Sequence, residues 1–311
     1  MEDKPALRQI DAFPVEFEGQ RLICISDPLR ITRETLLVSD TAFFFISMMN
    51  GQNSIVDIQS SFAQRFGDIV PGAQIQQLIG QLDDHFFLDN DSFRQKLEQE
   101  KEAYCQLDTR PCSHAGLSYP DDPAELRSLL DSFYDGVPEA RSGEDMPVRG
   151  IIAPHIDVRH GGPSFAPAFA YLRDARPDVF VILGVGHATS MNLFTDIPHN
   201  YETPLGKTPV DRDGLRILEQ RLGPSIVEED FLHRNEHSIE FQVLFLQHLF
   251  NGTAPAPVLP VLCTSFHEMM MAGIDPCEDA RVSGFMGALE EAVGGRSACW
   301  IAGVNLAHVG K

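Results

Sequence analysis

The sequence has few basic residues and few cysteines. It contains 24 Lys and Arg against 45 Asp and Glu, which gives a net charge of -21 and a pI near 4.8. A chain this acidic repels phosphate backbones and anionic lipid headgroups, so we expect no nucleic acid and no membrane surface as a partner. The six cysteines form no Cys-x-x-Cys pair, which argues against a disulfide framework and against a cysteine zinc site.

Long apolar runs are also missing. No stretch approaches the ~18 consecutive apolar residues that span a bilayer, and the first residues lack the basic and apolar regions of a secretion signal. Together with the sparse cysteines, this pattern predicts a cytoplasmic protein with reduced thiols. Hydrophobic residues make up 43% of the 311 residues, which is enough for one large hydrophobic core or two of ordinary size.

Residues 1–105 predict a small domain that ends in a charged connecting helix. Alternating apolar residues at 13–17 and 21–25 indicate a β-hairpin. Apolar residues with helical spacing follow in three segments: 41–49, 55–66 and 75–87. The stretch from Met48 to Ile58 resembles the PqqD-like winged-helix fold, which holds a leader peptide in peptide-modifying systems. A dimerisation or docking module is the alternative.

The remainder of the chain predicts a linker and then an α/β domain. Residues 106–147 are rich in turn signals and are expected to form the linker. Residues 148–311 alternate short apolar runs with helical segments, which is typical of a buried mixed sheet flanked by helices. The expected strands are 148–153, 179–183, 256–262 and 298–304. Chemistry in such folds gathers at the carboxyl ends of the strands.

Four histidines lie where that chemistry is expected. His155, His187 and His308 stand just past predicted strands, and His237 opens a predicted helix. We therefore expect at least two of them to share a site. Imidazole binds divalent metals and moves protons near neutral pH. The alternative for any one of them is a loop histidine that is hydrogen-bonded to the backbone.

Two carboxylates are candidates to support these histidines. Asp157 follows His155 by two residues and is expected to orient a histidine or bind metal, with a helix cap as the alternative. Glu240 lies three residues after His237 on the same helix face, with pairing to the helix dipole as the alternative. Two histidines with one oxygen ligand make the three-ligand face of non-haem iron oxygenases.

Five motifs, taken in order, resemble the signatures of the Memo family, which in bacteria includes the AmmeMemoRadiSam system protein B. They are Ile151-Ile152-Ala153-Pro154-His155, Leu183-Gly184-Val185-Gly186-His187, Tyr201-Glu202-Thr203-Pro204-Leu205-Gly206, Glu236-His237-Ser238-Ile239-Glu240 and Asn305-Leu306-Ala307-His308. The resemblance covers roughly residues 147–311. It implies a fold related to the class III extradiol dioxygenases.

The resemblance also implies roles for single residues. His155 and His187 would bind the metal, His308 would be the acid/base residue, and His237 would be a catalytic pocket histidine. The implied metal is Fe2+, with copper as an alternative. Asn305 stands where the family usually has Asp, which removes a negative charge beside the site.

Family members are expected to continue past the point where this sequence stops. The third ligand, a cysteine in Memo proteins, would lie in that continuation. The α/β domain of this chain is therefore expected to be truncated at its C-terminus and to lack the third ligand.

Two functions follow as expectations. The first is a metal-dependent oxidoreductase of the extradiol-dioxygenase type. The second is a non-enzymatic binding or scaffold component of a radical S-adenosylmethionine system, whose N-terminal module would hold the radical S-adenosylmethionine protein or a peptide. A metal-free structural protein is a third alternative.

Overall fold

The computed structural model describes four ranges of the chain: 4–138, 148–188, 190–252 and 254–305. The chain forms two compact units, Met1–Cys105 and Gln106–Lys311. Within the described ranges, none of the helices combines the length and the apolar character that crossing a bilayer requires.

In its described residues, the first unit combines a three-stranded antiparallel sheet with four helices. Its strands, which pair in chain order, are β1 Asp11–Phe17, β2 Gln20–Ser26 and β3 Leu36–Val38. Its helices are α1 Asp40–Ser47, α2 Ile55–Phe66, α3 Gly72–Asp84 and α4 Asp91–Cys105. The expected hairpin is confirmed, because β1 and β2 pair through a two-residue turn. Both turn residues, Glu18 and Gly19, have positive φ, which matches the twist of paired strands.

Local sequence signals account for the helices of this unit. Ser54 and Asp57 form a capping box at the start of α2, and Gly67 ends the helix in the left-handed conformation. The apolar faces of α2 and α3 supply buried residues such as Phe62 and Ile75. The three helices expected from apolar spacing are confirmed. The PqqD-like winged-helix assignment stays a prediction.

The second unit is built from eight strands and seven α-helices in its described residues. The strands are β4 Thr109–Arg110, β5 Gly150–Ala153, β6 Val179–Val185, β7 Phe194–Thr195, β8 Asn200–Thr203, β9 Gly206–Thr208, β10 Val258–Cys263 and β11 Ala298–Gly303. The helices are α5 Pro123–Phe133, α6 Val158–Ala170, α7 Arg212–Leu222, α8 Ser225–Glu228, α9 His237–Leu249, α10 His267–Ala272 and α11 Ala280–Val293. Short 3-10 helices cover Asp230–Asn235 and Pro276–Glu278.

A mixed five-stranded sheet, in the order β5-β11-β6-β10-β7, forms the centre of this unit. The first four strands run parallel and β7 runs antiparallel to β10. Helices pack against the sheet, and α9 lies among β6, β8, β9 and β11. The predicted fold class, a mixed sheet flanked by helices, is confirmed. The four predicted strands correspond to β5, β6, β10 and β11.

The first part of the expected linker, residues 106–138, belongs to the second unit. There β4 pairs in parallel with β8 in a smaller sheet, β4-β8-β9, and α5 packs against α6 and α9. Arg110 of β4 has no exposed surface. This stretch therefore contributes to the core of the second unit. The rest of the expected linker, residues 139–147, lies outside the described residues.

The topology explains why candidate residues from distant parts of the chain meet. Because β5, β11 and β6 are neighbouring parallel strands, their carboxyl ends lie at one edge of the sheet. His155, Asn305 and His187 each follow the last residue of one of these strands by two positions. His237 reaches the same edge because α9 begins there.

Two glycines let α9 approach this edge closely. A Cβ on Gly184 would lie 2.5 Å from Ile239 Cγ1 and 2.7 Å from Ser238 Oγ. A Cβ on Gly303 would lie 2.9 Å from Gln242 Nε2. With these side chains absent, Ser238 Oγ donates to the carbonyl of Val185 at 2.9 Å, which fixes the first turn of α9 against the end of β6.

Candidate metal centre

Three imidazoles converge at the carboxyl edge of the sheet. One ring nitrogen from each of His155, His187 and His237 lies within 4.8 Å of the others. The ring centroids are 5.2 Å apart for His155 and His187, 4.7 Å for His187 and His237, and 5.7 Å for His155 and His237. His155 is only 2% exposed, whereas the His187 side chain is 44% exposed. The cluster is thus buried on one side and open to solvent on the other.

Glu236 is the N-cap of α9, and its carboxylate orients two of the three rings. It accepts hydrogen bonds from the backbone N–H groups of His237 and Ser238 at 2.8 and 2.9 Å and of His187 at 3.0 Å. The same carboxylate lies 3.1 Å from His187 Nδ1 and 3.3 Å from His237 Nδ1. Both rings therefore direct Nδ1 toward Glu236 and keep Nε2 on the other side.

His155 is oriented by backbone instead of by a carboxylate. Its Nδ1 lies 3.1 Å from the carbonyl oxygen of Gly303, the last residue of β11. Its Nε2 accepts from the amide Nδ2 of Asn305 at 3.0 Å. Asn305 is thus in direct contact with a predicted metal ligand. All three histidines of the cluster share one arrangement, in which Nδ1 faces an oxygen.

The electrostatics of the cluster favour a neutral His237 beside a charged Glu236. Burial, together with the neighbouring His187, His114 and His155, lowers the pKa of His237 to about 4 despite the attraction of Glu236. Burial alone would raise the pKa of Glu236, but the hydrogen bond from His187 and the nearby rings lower it to about 2. The hydrogen bond to Glu236 raises the pKa of His187. At neutral pH Glu236 is ionised and His237 is neutral.

Glu240 lies one turn further along α9 and is fully buried. Its carboxylate accepts from Arg110 Nη1 at 2.7 Å, Tyr119 Oη at 2.6 Å and the backbone N–H groups of Ser113 and His114 at 3.0 Å. Burial alone would raise the pKa of Glu240, but Arg110 and these hydrogen bonds hold it well below its usual range. Glu240 therefore fixes the 110–119 segment to α9.

That segment connects Glu240 to the histidine cluster. The ring of His114 lies 5.4 Å from the ring of His237 and contacts Phe241 edge-on. Arg110 also donates from Nε to the carbonyl of His233 at 2.6 Å and from Nη2 to the carbonyl of Glu236 at 2.7 Å. Arg110 therefore fixes the backbone of residues 233–236 and, with it, the position of the Glu236 side chain. Sequence reasoning missed Arg110, because β4 falls within the expected linker.

The other predicted site residues lie in different settings. The Asp157 carboxylate caps α6 by accepting from the backbone N–H of Arg159 at 3.0 Å, and it lies 3.3 Å from His160 Nδ1. His308, the predicted acid/base residue, lies outside the described residues. His233, four residues before His237, lies in the 3-10 helix that precedes α9.

His233 is fully buried and is held by residues of β7 and β8. Its Nε2 lies 3.2 Å from Thr195 Oγ1, and its Nδ1 lies 3.2 Å from Tyr201 Oη. Burial first, and Arg110 second, lower the pKa of His233 to about 3. The folded chain therefore keeps this ring neutral at mildly acidic pH, whereas the unfolded chain protonates it near pH 6.5.

This difference predicts an acid-sensitive contribution to stability. The contribution of His233 is fully present above pH 6.5 and is lost as pH falls toward 3, because only the unfolded chain gains the proton. At pH 5 the loss is about 2 kcal/mol. Urea unfolding followed by the fluorescence of Trp300, the single tryptophan, measures it at pH 7.5 and pH 5. In His233→Gln, the free energy of unfolding should differ less between the two pH values than it does in the unaltered protein. The same difference in both proteins would contradict the assignment.

Comparison with known proteins adds to this geometry. Residues 110–311 match a protein family described as Memo-like protein. A MEMO1 family protein of Aquifex aeolicus is 30% identical over 256 residues, which cover 82% of this chain and 66% of that protein. A MEMO1 family protein of Thermus thermophilus is 27% identical over 210 residues, covering 67% of this chain and 62% of that protein. A third MEMO1 family protein, from Methanopyrus kandleri, is 31% identical over 169 residues, covering 51% of this chain and 57% of that protein. The chain spans less than two thirds of the length of each of these relatives.

Proposed function

Because this chain belongs to the Memo-like protein family, we propose that it binds a divalent metal ion through Nε2 of His155, His187 and His237. One observation carries the proposal: Nδ1 of each ring faces an oxygen, either of Glu236 or of Gly303. Metal-binding histidines almost always donate the second ring N–H to a carboxylate or a carbonyl. That donation leaves Nε2 with the lone pair that a metal requires. At His155 the metal would replace the Asn305 amide, which donates to Nε2 at 3.0 Å.

The donor set fits a catalytic metal better than a structural one. Three protein ligands with solvent on the open side leave coordination positions for substrate, whereas structural sites are usually closed by four ligands. The 44% exposure of His187 provides that open side. Imidazole suits iron, copper and zinc, and the resemblance to extradiol dioxygenases favours Fe2+, with copper as the alternative.

The proposed activity is that of a metal-dependent oxidoreductase of the extradiol type. The bound metal would supply activation of dioxygen beside an oxygen-bearing substrate. The residues of this chain would bind the metal and orient its ligands. Glu236 orients the rings of His187 and His237, and the Gly303 carbonyl orients the ring of His155. His308 is proposed as the proton carrier on the basis of the family motif. Oxygen uptake by Fe2+-loaded protein with a catechol tests the activity, and no uptake would favour the scaffold function.

The scaffold function concerns the first unit. We propose a radical S-adenosylmethionine protein or a peptide as its partner, on the resemblance of residues 48–58 to PqqD-like folds. The six free cysteines support the proposal of a cytoplasmic location, since extracellular proteins of this kind usually form disulfides.

Glu236 provides a sharp test of the metal proposal. Glu236→Gln keeps the shape of the side chain but removes the charge that orients His187 and His237. We expect the affinity for Fe2+ to fall by roughly 10- to 100-fold, the range for partners of metal-binding histidines. Anaerobic competition with a chromophoric chelator measures it.

Glu229→Gln is a matched control. The carboxylate of Glu229 also accepts from backbone N–H groups, those of Met191 and Asn192, but it contacts none of the three histidines in the described structure. We expect this variant to bind Fe2+ as the unaltered protein does. If both variants and the unaltered protein bind Fe2+ with equal affinity, Glu236 does not support a metal site.

A further inference from the structure

A second polar site lies at the opposite end of α9. His237 is the first residue of that helix and His248 is near its last, so the two side chains are about 16 Å apart along the axis. His248 lines an open cleft of about 320 Å³ with residues of α5 and of the segment after α6. Its polar lining includes Arg127, Asp131, Tyr134 and Arg173.

Two residues that line this cleft, Tyr134 and His248, carry buried polar atoms with unused hydrogen-bonding capacity. Among the described residues, neither Tyr134 Oη nor His248 Nδ1 has a hydrogen-bond partner. The two rings stack with centroids 5.4 Å apart and planes at 26°. The His248 side chain is 11% exposed, and its Nε2 lies 2.8 Å from Asp131 Oδ1. Buried polar groups are ordinarily paired, so a polar group that enters the cleft and reaches these two atoms would satisfy both.

The charge of the cleft specifies the sign of that group. Among the described residues that line the cleft, Arg127 and Arg173 supply two guanidinium groups and Asp131 supplies the single carboxylate. This local excess of positive charge occurs in a chain whose net charge is -21. Burial raises the pKa of Tyr134, while Arg173 opposes that rise, so the hydroxyl stays protonated at neutral pH and can donate.

We propose that this cleft binds the phosphate group of a small phosphorylated metabolite. Two guanidinium groups and the Tyr134 hydroxyl provide donors from several directions, which suits a tetrahedral oxyanion. His248 Nδ1, on the opposite side of the ring from the Nε2 that contacts Asp131, can accept from the P–OH of the phosphate. A volume of about 320 Å³ reaches the size of small-molecule pockets, so the cleft also has room for an organic portion.

Calorimetric titration of the full chain tests the proposal. Phenyl phosphate and inorganic phosphate are titrated at an ionic strength held constant with chloride. We expect saturable one-to-one binding that weakens roughly tenfold in Arg173→Gln and in Arg127→Gln, the loss of one charge-assisted hydrogen bond. Tyr134→Phe keeps the stacked ring and should weaken binding several-fold. Arg216→Gln, which alters an exposed arginine paired with Asp213 on α7, is the matched control and should leave binding unchanged.

The titration distinguishes the source of the phosphate and the site that binds it. Tighter binding of phenyl phosphate supports an organic phosphate, and equal binding supports inorganic phosphate as the ligand of the same cleft. The proposal would be overturned if neither phosphate binds saturably, or if the Arg127 and Arg173 variants bind as tightly as the unaltered protein. Binding that disappears in His187→Ala would assign phosphate to the histidine cluster and would also overturn it. The metal proposal is tested separately, because the arginine variants should bind Fe2+ normally.

Discussion

His187→Ala is expected to lower the affinity of the protein for Fe2+ by roughly 100-fold or more, beyond the 10- to 100-fold typical of outer partners. The substitution removes one of three converging ring nitrogens. It should not unfold the chain, because the His187 side chain is 44% exposed. The Glu236 carboxylate would keep its hydrogen bonds from the N–H groups of His237 and Ser238. Anaerobic titration with Fe2+ measures the change.

His160→Ala is the matched control for this prediction. His160 is also a histidine of the second unit beside a carboxylate, and its ring lies 3.3 Å from Asp157. Its side chain is 84% exposed and it does not belong to the cluster. We expect this variant to bind Fe2+ normally. If both variants bind equally well, the ion binds elsewhere and the triad is not a metal site.

Arg110→Met is expected to destabilise the second unit by about 3–5 kcal/mol, the cost of breaking a buried ion pair by removing one partner. The side chains of Arg110 and Glu240 have no exposed surface, and the pair is 2.7 Å apart. Without Arg110, the Glu240 carboxylate stays buried without its cation, and the carbonyls of His233 and Glu236 each lose a donor. Urea unfolding followed by Trp300 fluorescence measures the loss.

A surface ion pair provides the comparison. Arg212 and Asp108 are 3.0 Å apart, but both side chains are more than half exposed. Arg212→Met should cost less than about 1 kcal/mol, because solvent screens such pairs. Since Arg110 holds the backbone of Glu236, Arg110→Met should also weaken Fe2+ binding under conditions where it remains folded. Similar stabilities for the two variants would show that the buried pair does not hold the segment in place.

Local patterns in the sequence predicted much of the architecture. Alternating apolar residues specified β1 and β2, and apolar runs bounded by turn residues specified β5, β6, β10 and β11, because burial imposes these periods directly. The strand ends then located His155 and His187. The rule works here because β5, β11 and β6 are adjacent and parallel, so residues more than 30 positions apart meet at one edge.

The parts that the sequence did not reveal depend on long-range contacts. Arg110 pairs with Glu240 across 130 positions, and nothing in the turn-rich stretch around Arg110 indicates that its side chain is buried. Glu236 and Glu240 both flank His237, and helical spacing favoured Glu240 as the supporting residue. In the structure the N-cap side chain of Glu236 folds back over the first turn and reaches His187 and His237, while Glu240 points to Arg110.

X-ray absorption at the iron edge of protein loaded with one equivalent of Fe2+ tests the central claim most directly. Outer-shell scattering from imidazole counts the bound histidines. The account predicts three imidazole nitrogens bound to the iron, with open positions filled by water. The count should fall to two in His187→Ala loaded with substoichiometric Fe2+ at a protein concentration high enough to bind it. A spectrum of oxygen ligands alone, or one that is unchanged in His187→Ala, would contradict a metal centre on His155, His187 and His237.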